Sequence, residues 1–257
     1  MADSAVGVAG GAPESWYLDP LVAKQKRDEH LALLRAWWDG GSGRVLKTDL
    51  FEEANGPDEL LSAFPVRATI VGMDVVPITV ARAHARGVRS GLFLATDVRR
   101  LALAGDSVDL VFSNSTLDHF EQPSDLDEAL RELVRVLQPG GRLIVTLDNP
   151  RNPLYRLLRW VTRRGWAPIT LGHTVPRSAL ADAMRRAGVE IVGSGVLIHN
   201  PRLVSTALFM ALRRTLGRRA DGPVRFLLAA FATLGRLPTR EYTACFVAVC
   251  GRKPAAC

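Results

Sequence analysis

Apolar positions along this chain follow two alternating rhythms. Asp19 and Pro20 form a cap and a first-turn proline, and LVAKQKRDEHLALLRAWW then continues with helical spacing to Gly40 and Gly41. Beyond them, short apolar runs of strand length are separated by helical stretches. The pattern predicts strands over 44–50, 68–75, 91–95 and 107–113, with helices over 57–64 and 77–85. A helix over 124–137 carries Leu130, Leu133, Val134 and Leu137 on one face and is expected to stop at Pro139. Gly140 and Gly141 are expected to turn the chain into a buried strand over 142–147. A helix over 176–187, a strand over 189–198 and a last strand over 242–250 complete the pattern. The stretch between those final strands, about forty residues, leaves room for two helices and a return.

Strands spaced by helices imply an α/β fold with a mostly parallel sheet and right-handed crossovers. At 257 residues the chain can hold one such domain with appendages and bury a large core. Cys245, Cys250 and Cys257 form no metal-ligand spacing, so neither a zinc site nor a disulfide framework is expected, and a reducing cytoplasm suits them. The first fifteen residues, MADSAVGVAGGAPES, lack the basic start of a secretory signal and are expected to be a disordered tail. No apolar run has the length of a membrane span.

The formal net charge of +7 is concentrated in two regions. Residues 201–240 hold eight arginines against Asp221 alone, and residues 151–166 hold five arginines and no acid. The remainder is mildly acidic, which points to a local anionic surface or substrate.

RVLQPGGRLIV closely resembles the helix-turn-strand segment after the active-site strand of class I S-adenosylmethionine-dependent methyltransferases. SVDLVFSNSTLDHF, over 107–120, resembles the family's fourth strand and the polar residues beneath its cofactor. The likeness covers roughly residues 42–150 and is closest to the small-molecule branch of quinone and natural-product pathways. It implies a Rossmann-like sheet whose last strand is antiparallel, with helices on both faces. It also implies S-adenosylmethionine as methyl donor, S-adenosylhomocysteine as product and a hydrophobic small molecule as acceptor.

In such sheets ligands lie beyond the carboxyl ends of the strands. Asp74 closes TIVGMD, where the resemblance implies a carboxylate for the ribose hydroxyls, beside Val75. Asp97 follows GLFLAT and is expected to receive the adenine amino group, with the Val98 N–H on a ring nitrogen. Ser113 and Asn114 end the fourth strand beneath the cofactor. Asp109 on that strand is expected to be structural. The first motif departs from the family: Lys47, Asp49, Phe51 and Glu53 stand where an acid and three glycines are expected. Asp49 and Glu52 are candidate partners for the cofactor's ammonium group, or merely acids near the start of the next helix.

Methyl transfer needs a general base only when the acceptor must lose a proton. His119 is the leading candidate for that base, with Asp118 orienting it; His173 and His199 are lesser candidates and His30 is expected at the surface. The N-terminal helix, 16–41, with Trp16, Tyr17, Trp37 and Trp38, is expected to form a lid. Segments 151–175 and 200–240 are expected to add substrate or cap elements to the single domain over 16–257. The arginine-rich stretch 201–240 can meet anionic lipid at a membrane periphery, cover a greasy acceptor, or pack as ordinary helices. Nucleic acid is disfavoured and oligomerisation is left open. A nicotinamide oxidoreductase would require G-x-G-x-x-G after the first strand, which is absent. A methyltransferase-fold protein that no longer methylates stays as the alternative function.

Overall fold

The Asp19 carboxylate accepts the Leu21 N–H at 2.9 Å, and Pro20 opens the first helix, α1 (Pro20–Trp37). This cap is the first feature of a computed structural model that describes residues 19–164 and 172–255. The expected tail, Trp16, Tyr17, Trp166 and Cys257 lie outside the described residues. The chain continues through β1 (Arg44–Thr48), α2 (Phe51–Asn55), β2 (Thr69–Asp74), α3 (Pro77–Arg86), β3 (Gly91–Ala95), β4 (Val108–Asn114), α4 (Pro123–Val136) and β5 (Leu137–Asp148). It then runs through α5 (Pro153–Arg163), α6 (Arg177–Arg186), β6 (Glu190–Leu197), α7 (Arg202–Leu216), α8 (Asp221–Thr233), α9 (Arg240–Thr243) and β7 (Phe246–Arg252).

The strands form one sheet in the order β3-β2-β1-β4-β5-β7-β6. β7 runs antiparallel to both neighbours, as expected of the last strand, and the other strand pairs are parallel. Side-chain alternation divides the core. Leu46, Val71, Val111 and Val145 face the layer of α4 and α6, while Val45, Ile70, Leu110 and Ile144 face the layer of α1 and α3. These residues are at most 2% exposed, and each contributes about 1.5–3 kcal/mol by leaving water.

Several boundaries differ from the sequence expectation, each for a local reason. A helix over 57–64 is replaced by α2 and a single 3-10 turn over Leu61–Ala63. Asp49 accepts the Phe51 N–H at 2.7 Å and so starts α2 early. Gly56 and Pro57 follow its last residue, Asn55. The Pro-Gly-Gly segment is an irregularity inside β5 and not a free turn. α4 ends at Val136, Val108 pairs with Leu137 but Leu110 with Arg142, and the extra residues bulge. Gly140 takes φ +81° there, and its N–H donates to Lys253 O at 2.9 Å. The last strand begins at Phe246, because Arg240–Thr243 winds into α9.

The helix expected to form a lid packs its inner side into the core. Leu31, Leu34 and Trp38 pack with Val45, Phe64 and Phe112, and the Trp38 and Phe64 rings meet edge to face at 5.9 Å. His30, expected at the surface, is 1% exposed, edge-on to Phe112 and Phe246, with Nδ1 2.7 Å from Lys26 O. Burial pushes its pKa down to about 4. Helices α7 and α8 bury Phe209, Val224 and Leu228 against Leu21 and Val22 of α1. Arg213 fastens them by pairing with Asp19 at 2.6 Å and with Asp221. Among the described residues, no helix is long and apolar enough to cross a membrane.

Candidate functional site

The carboxyl ends of β1, β2, β3 and β4 define one rim of the sheet. At the end of β1 the loop keeps the turn that a glycine would supply: Asp49 sits at φ +63°, a region L side chains rarely adopt. A charge network stands where a glycine cradle would leave space. Lys47, wholly buried, places Nζ 2.9 Å from Glu53 Oε2 and 3.8 Å from Glu52 Oε2, and donates to Asp49 O at 2.5 Å. Lys26 reaches across from α1 to Glu52 at 2.8 Å and Asp58 at 3.1 Å. Glu53 Oε1 accepts the Leu60 N–H at 3.1 Å. Burial alone would raise the pKa of Glu52, but the Lys26 and Lys47 ammonium groups hold it near about 2. Asp49 is pushed the other way, to about 7, by burial and by Glu52 beside it. The two acids expected to meet the ammonium group therefore differ: Glu52 is committed to two lysines, while Asp49 keeps a half-buried carboxylate on the loop.

At the end of β2, the Asp74 oxygens accept the Leu50 N–H at 3.0 Å and the Val76 N–H at 2.8 Å. Each oxygen keeps a second lone pair, so both remain able to accept from ribose hydroxyls. Val75 beside it is 64% exposed. At the end of β3, Asp97 is gripped by Arg99, with Nη2 2.6 Å from Oδ2 and Nε 3.0 Å from Oδ1. That hydrogen-bonded contact lowers the Asp97 pKa. Arg99 also pairs with Asp125 at 3.1 Å and lies 5.3 Å from the centre of the Phe120 ring. The Val98 side chain is buried in the core. Ser113 is fully buried and accepts from Thr48 Oγ1 at 2.9 Å; Asn114 is also buried, and its Oδ1 makes no hydrogen bond among the described residues. Asp109 is structural, its Oδ2 accepting the Arg44 N–H at 2.6 Å.

For the adenosine end of S-adenosylmethionine, the Asp74 oxygens keep lone pairs that suit ribose hydroxyls, whereas both Asp97 oxygens are engaged by Arg99. At the end of β1 the loop retains the left-handed turn at Asp49 but carries side chains in place of glycines.

After β4, a 3-10 turn over Leu117–His119 turns Leu117 and Asp118 inward and leaves His119 exposed. Asp118 Oδ2 accepts the Asp148 N–H at 2.6 Å. Burial, together with the Asp148 carboxylate, raises the Asp118 pKa to about 6. Asp148, the last residue of β5, pairs with Arg202 at 2.9 Å. Tyr155 on α5 is buried near both acids, and burial and their charge push its phenol up to about 12. Asp148, Tyr155, Arg202, Asn152, Leu158 and Cys245 line a recess of about 20 Å³. Asp148, Tyr155 and Arg202 are not found by motif; the one signal for them is that Asp148, like Asp74, ends a strand with an acid. His199 Nδ1 lies 2.8 Å from Thr243 Oγ1, and the His173 N–H donates to Phe120 O at 2.5 Å.

Residues 51–145 match a family described as a methyltransferase domain. A malonyl-[acyl-carrier protein] O-methyltransferase from Methylovorus sp. is 35% identical over 95 residues, 37% of this chain and 30% of that protein. A ubiquinone biosynthesis O-methyltransferase from Cereibacter sphaeroides is 31% identical over 150 residues, 52% of this chain and 56% of that protein. The chain thus spans from 30% to 56% of the length of these curated relatives. Among solved structures, the [4+2]-cyclase SpnF aligns with TM-score 0.58 at 20% identity, covering 92% of this chain and 82% of that one. An S-adenosylmethionine-dependent methyltransferase from Mesorhizobium loti aligns with TM-score 0.56 at 17% identity, covering 96% of this chain and 100% of that one. Strand order and these structural likenesses define a Rossmann-like sheet of the class I methyltransferase kind. Residues 51–145 are the part of the chain that matches the methyltransferase-domain family.

Proposed function

We propose that the chain transfers a methyl group from S-adenosylmethionine to a hydrophobic small-molecule acceptor. The observation that carries this reading is the coincidence of the matched segment with the strand ends that present Asp74 and Asp97, with Asp49 just before it at the end of β1. Asp74 would hold the ribose, Asp97 and Val98 the adenine, and Asp49 the ammonium group; Ser113 and Asn114 form the floor. The cofactor supplies an activated methyl carbon, so the protein's work is alignment and exclusion of water. Asp118 is better suited than His119 to take a proton from the acceptor. It is buried and holds its proton up to about pH 6, so it is a stronger base than an ordinary aspartate yet ionised at neutral pH.

A second reading has its own support: the side chains in the cradle and the structural likeness to a [4+2]-cyclase favour a methyltransferase fold put to non-methylating use. Incubation with S-adenosylmethionine labelled at the methyl group, and an organic extract of small molecules, separates the two. Label in the extract with stoichiometric S-adenosylhomocysteine supports transfer; no label despite cofactor binding supports the second reading.

The same reading includes a peripheral membrane contact. Arg214, Arg218, Arg219 and Arg225 are exposed on the cap together with Met210, Leu216 and Phe226. Such a mixed surface suits anionic lipid, from which a greasy acceptor can be drawn.

A further inference from the structure

Buried polar atoms without partners collect where β4 and β5 end. Among the described residues, Asp118 Oδ1, Tyr155 Oη and Arg159 Nε are buried and make no hydrogen bond. Buried polar groups are nearly always hydrogen-bonded, so three left unmet in neighbouring elements need a reason. They come from the 3-10 turn after β4 and from α5, and Tyr155 lies within the fields of Asp118, Asp148, Arg159 and Arg202. The chemistry is mixed: a carboxylate oxygen that only accepts, a guanidinium N–H that only donates, and a phenol that does either. The charges are mixed too: Asp148 pairs with Arg202, and the Asp118 and Arg159 charges also act on Tyr155. The recess beside Asp148, Tyr155 and Arg202, about 20 Å³, has the volume of one water-sized atom group, and Leu154 and Leu158 line it as well.

We propose that this cluster holds the acceptor by a neutral hydroxyl, which donates to the carboxylate side and accepts from Tyr155 or Arg159. A carboxylate head would face the Asp118–Asp148 pair, and an ammonium head would face Arg159 and Arg202; each leaves part of the cluster unmet. The proposal rests on the methyl-transfer reading and narrows it to transfer onto oxygen.

The test uses ligand-observed fluorine NMR on the full chain with S-adenosylhomocysteine present, comparing 4-fluorophenol, 4-fluorobenzoate and 4-fluorobenzylamine. The phenol is expected to bind best. Tyr155→Phe, which keeps the ring packing, and Asp118→Asn, which keeps an oxygen for the Asp148 N–H, should each weaken it about tenfold, one hydrogen-bonded group's contribution. Stronger binding of the benzoate or the amine, no binding of any probe, or unchanged phenol binding in both variants would overturn the proposal. If S-adenosylhomocysteine binds but the phenol does not, the hydroxyl site alone fails. If S-adenosylhomocysteine does not bind, the methyl-transfer reading fails separately.

Discussion

Replacing Lys47 by methionine keeps the length of the side chain and removes its charge from the middle of the β1 loop. The ammonium group lies 2.9 Å from Glu53, which is 1% exposed, and no second cation is paired with that carboxylate among the described residues. Glu52 keeps Lys26 at 2.8 Å, so the loss falls on Glu53. Breaking one half of a buried pair costs about 3–5 kcal/mol, because the remaining charge is stranded or must take up a proton. With a urea dependence of about 2–3 kcal/mol per molar, the midpoint should fall by about 1–2 M. Adding Glu53→Gln removes the stranded charge and keeps an acceptor for the Leu60 N–H, so the double variant should recover to within about 1–2 kcal/mol of wild type. The assay is urea denaturation followed by circular dichroism at pH 7.5. A loss under about 1 kcal/mol in the single variant, or a double variant weaker than the single, would refute the account of the network.

Three further outcomes follow from the same charges. If Asp49 meets the cofactor's ammonium group, affinity for S-adenosylhomocysteine should drop below pH 7, by up to about tenfold per unit, as Asp49 takes its proton; calorimetry at pH 6 and 8 checks this, and Asp49→Asn should flatten the profile. Because the folded Asp118 pKa lies above its unfolded value, its contribution is full below about pH 4 and is lost as pH rises to about 6. Thermal melts should accordingly show wild type losing ground to Asp118→Asn across that window, and parallel melting curves would contradict the assignment. Arg214, Arg218, Arg219 and Arg225 together changed to Gln should abolish salt-sensitive sedimentation with phosphatidylserine vesicles, each arginine contributing about 1 kcal/mol, while Arg213 is spared because it fastens the cap; a wild type that ignores such vesicles removes the membrane contact.

The α/β order was legible because apolar runs such as Leu143–Leu147 and polar strand ends such as Asp74 and Asp97 are local signals. The Pro-Gly-Gly bulge was not, since its form depends on Lys253, more than a hundred residues away, supplying the carbonyl for Gly140. The early start of α2 lay in the short Asp49-to-Phe51 spacing, a turn signal masked by the stronger helix pattern beyond Gly56. His30 gave a surface pattern through its charged neighbours, yet tertiary packing put it between two aromatic rings. The Asp118–Asp148–Tyr155–Arg202 cluster joins four separated segments, and single-chain spacing carries no trace of that meeting. Where a motif was local and matched, as at Asp74, the structure put the residue on the rim; where function depends on long-range pairing, only the fold reveals it.

Whether a rim without the usual glycines holds S-adenosylmethionine is open to direct measurement. Titration calorimetry of the full chain with S-adenosylhomocysteine, wild type against Asp74→Asn, tests it most directly. Measurable binding by the wild type is expected, with a loss of about ten- to a hundredfold in the variant, the worth of one charge-assisted hydrogen bond. No heat with the wild type at millimolar ligand, or equal affinity in the two proteins, would contradict it.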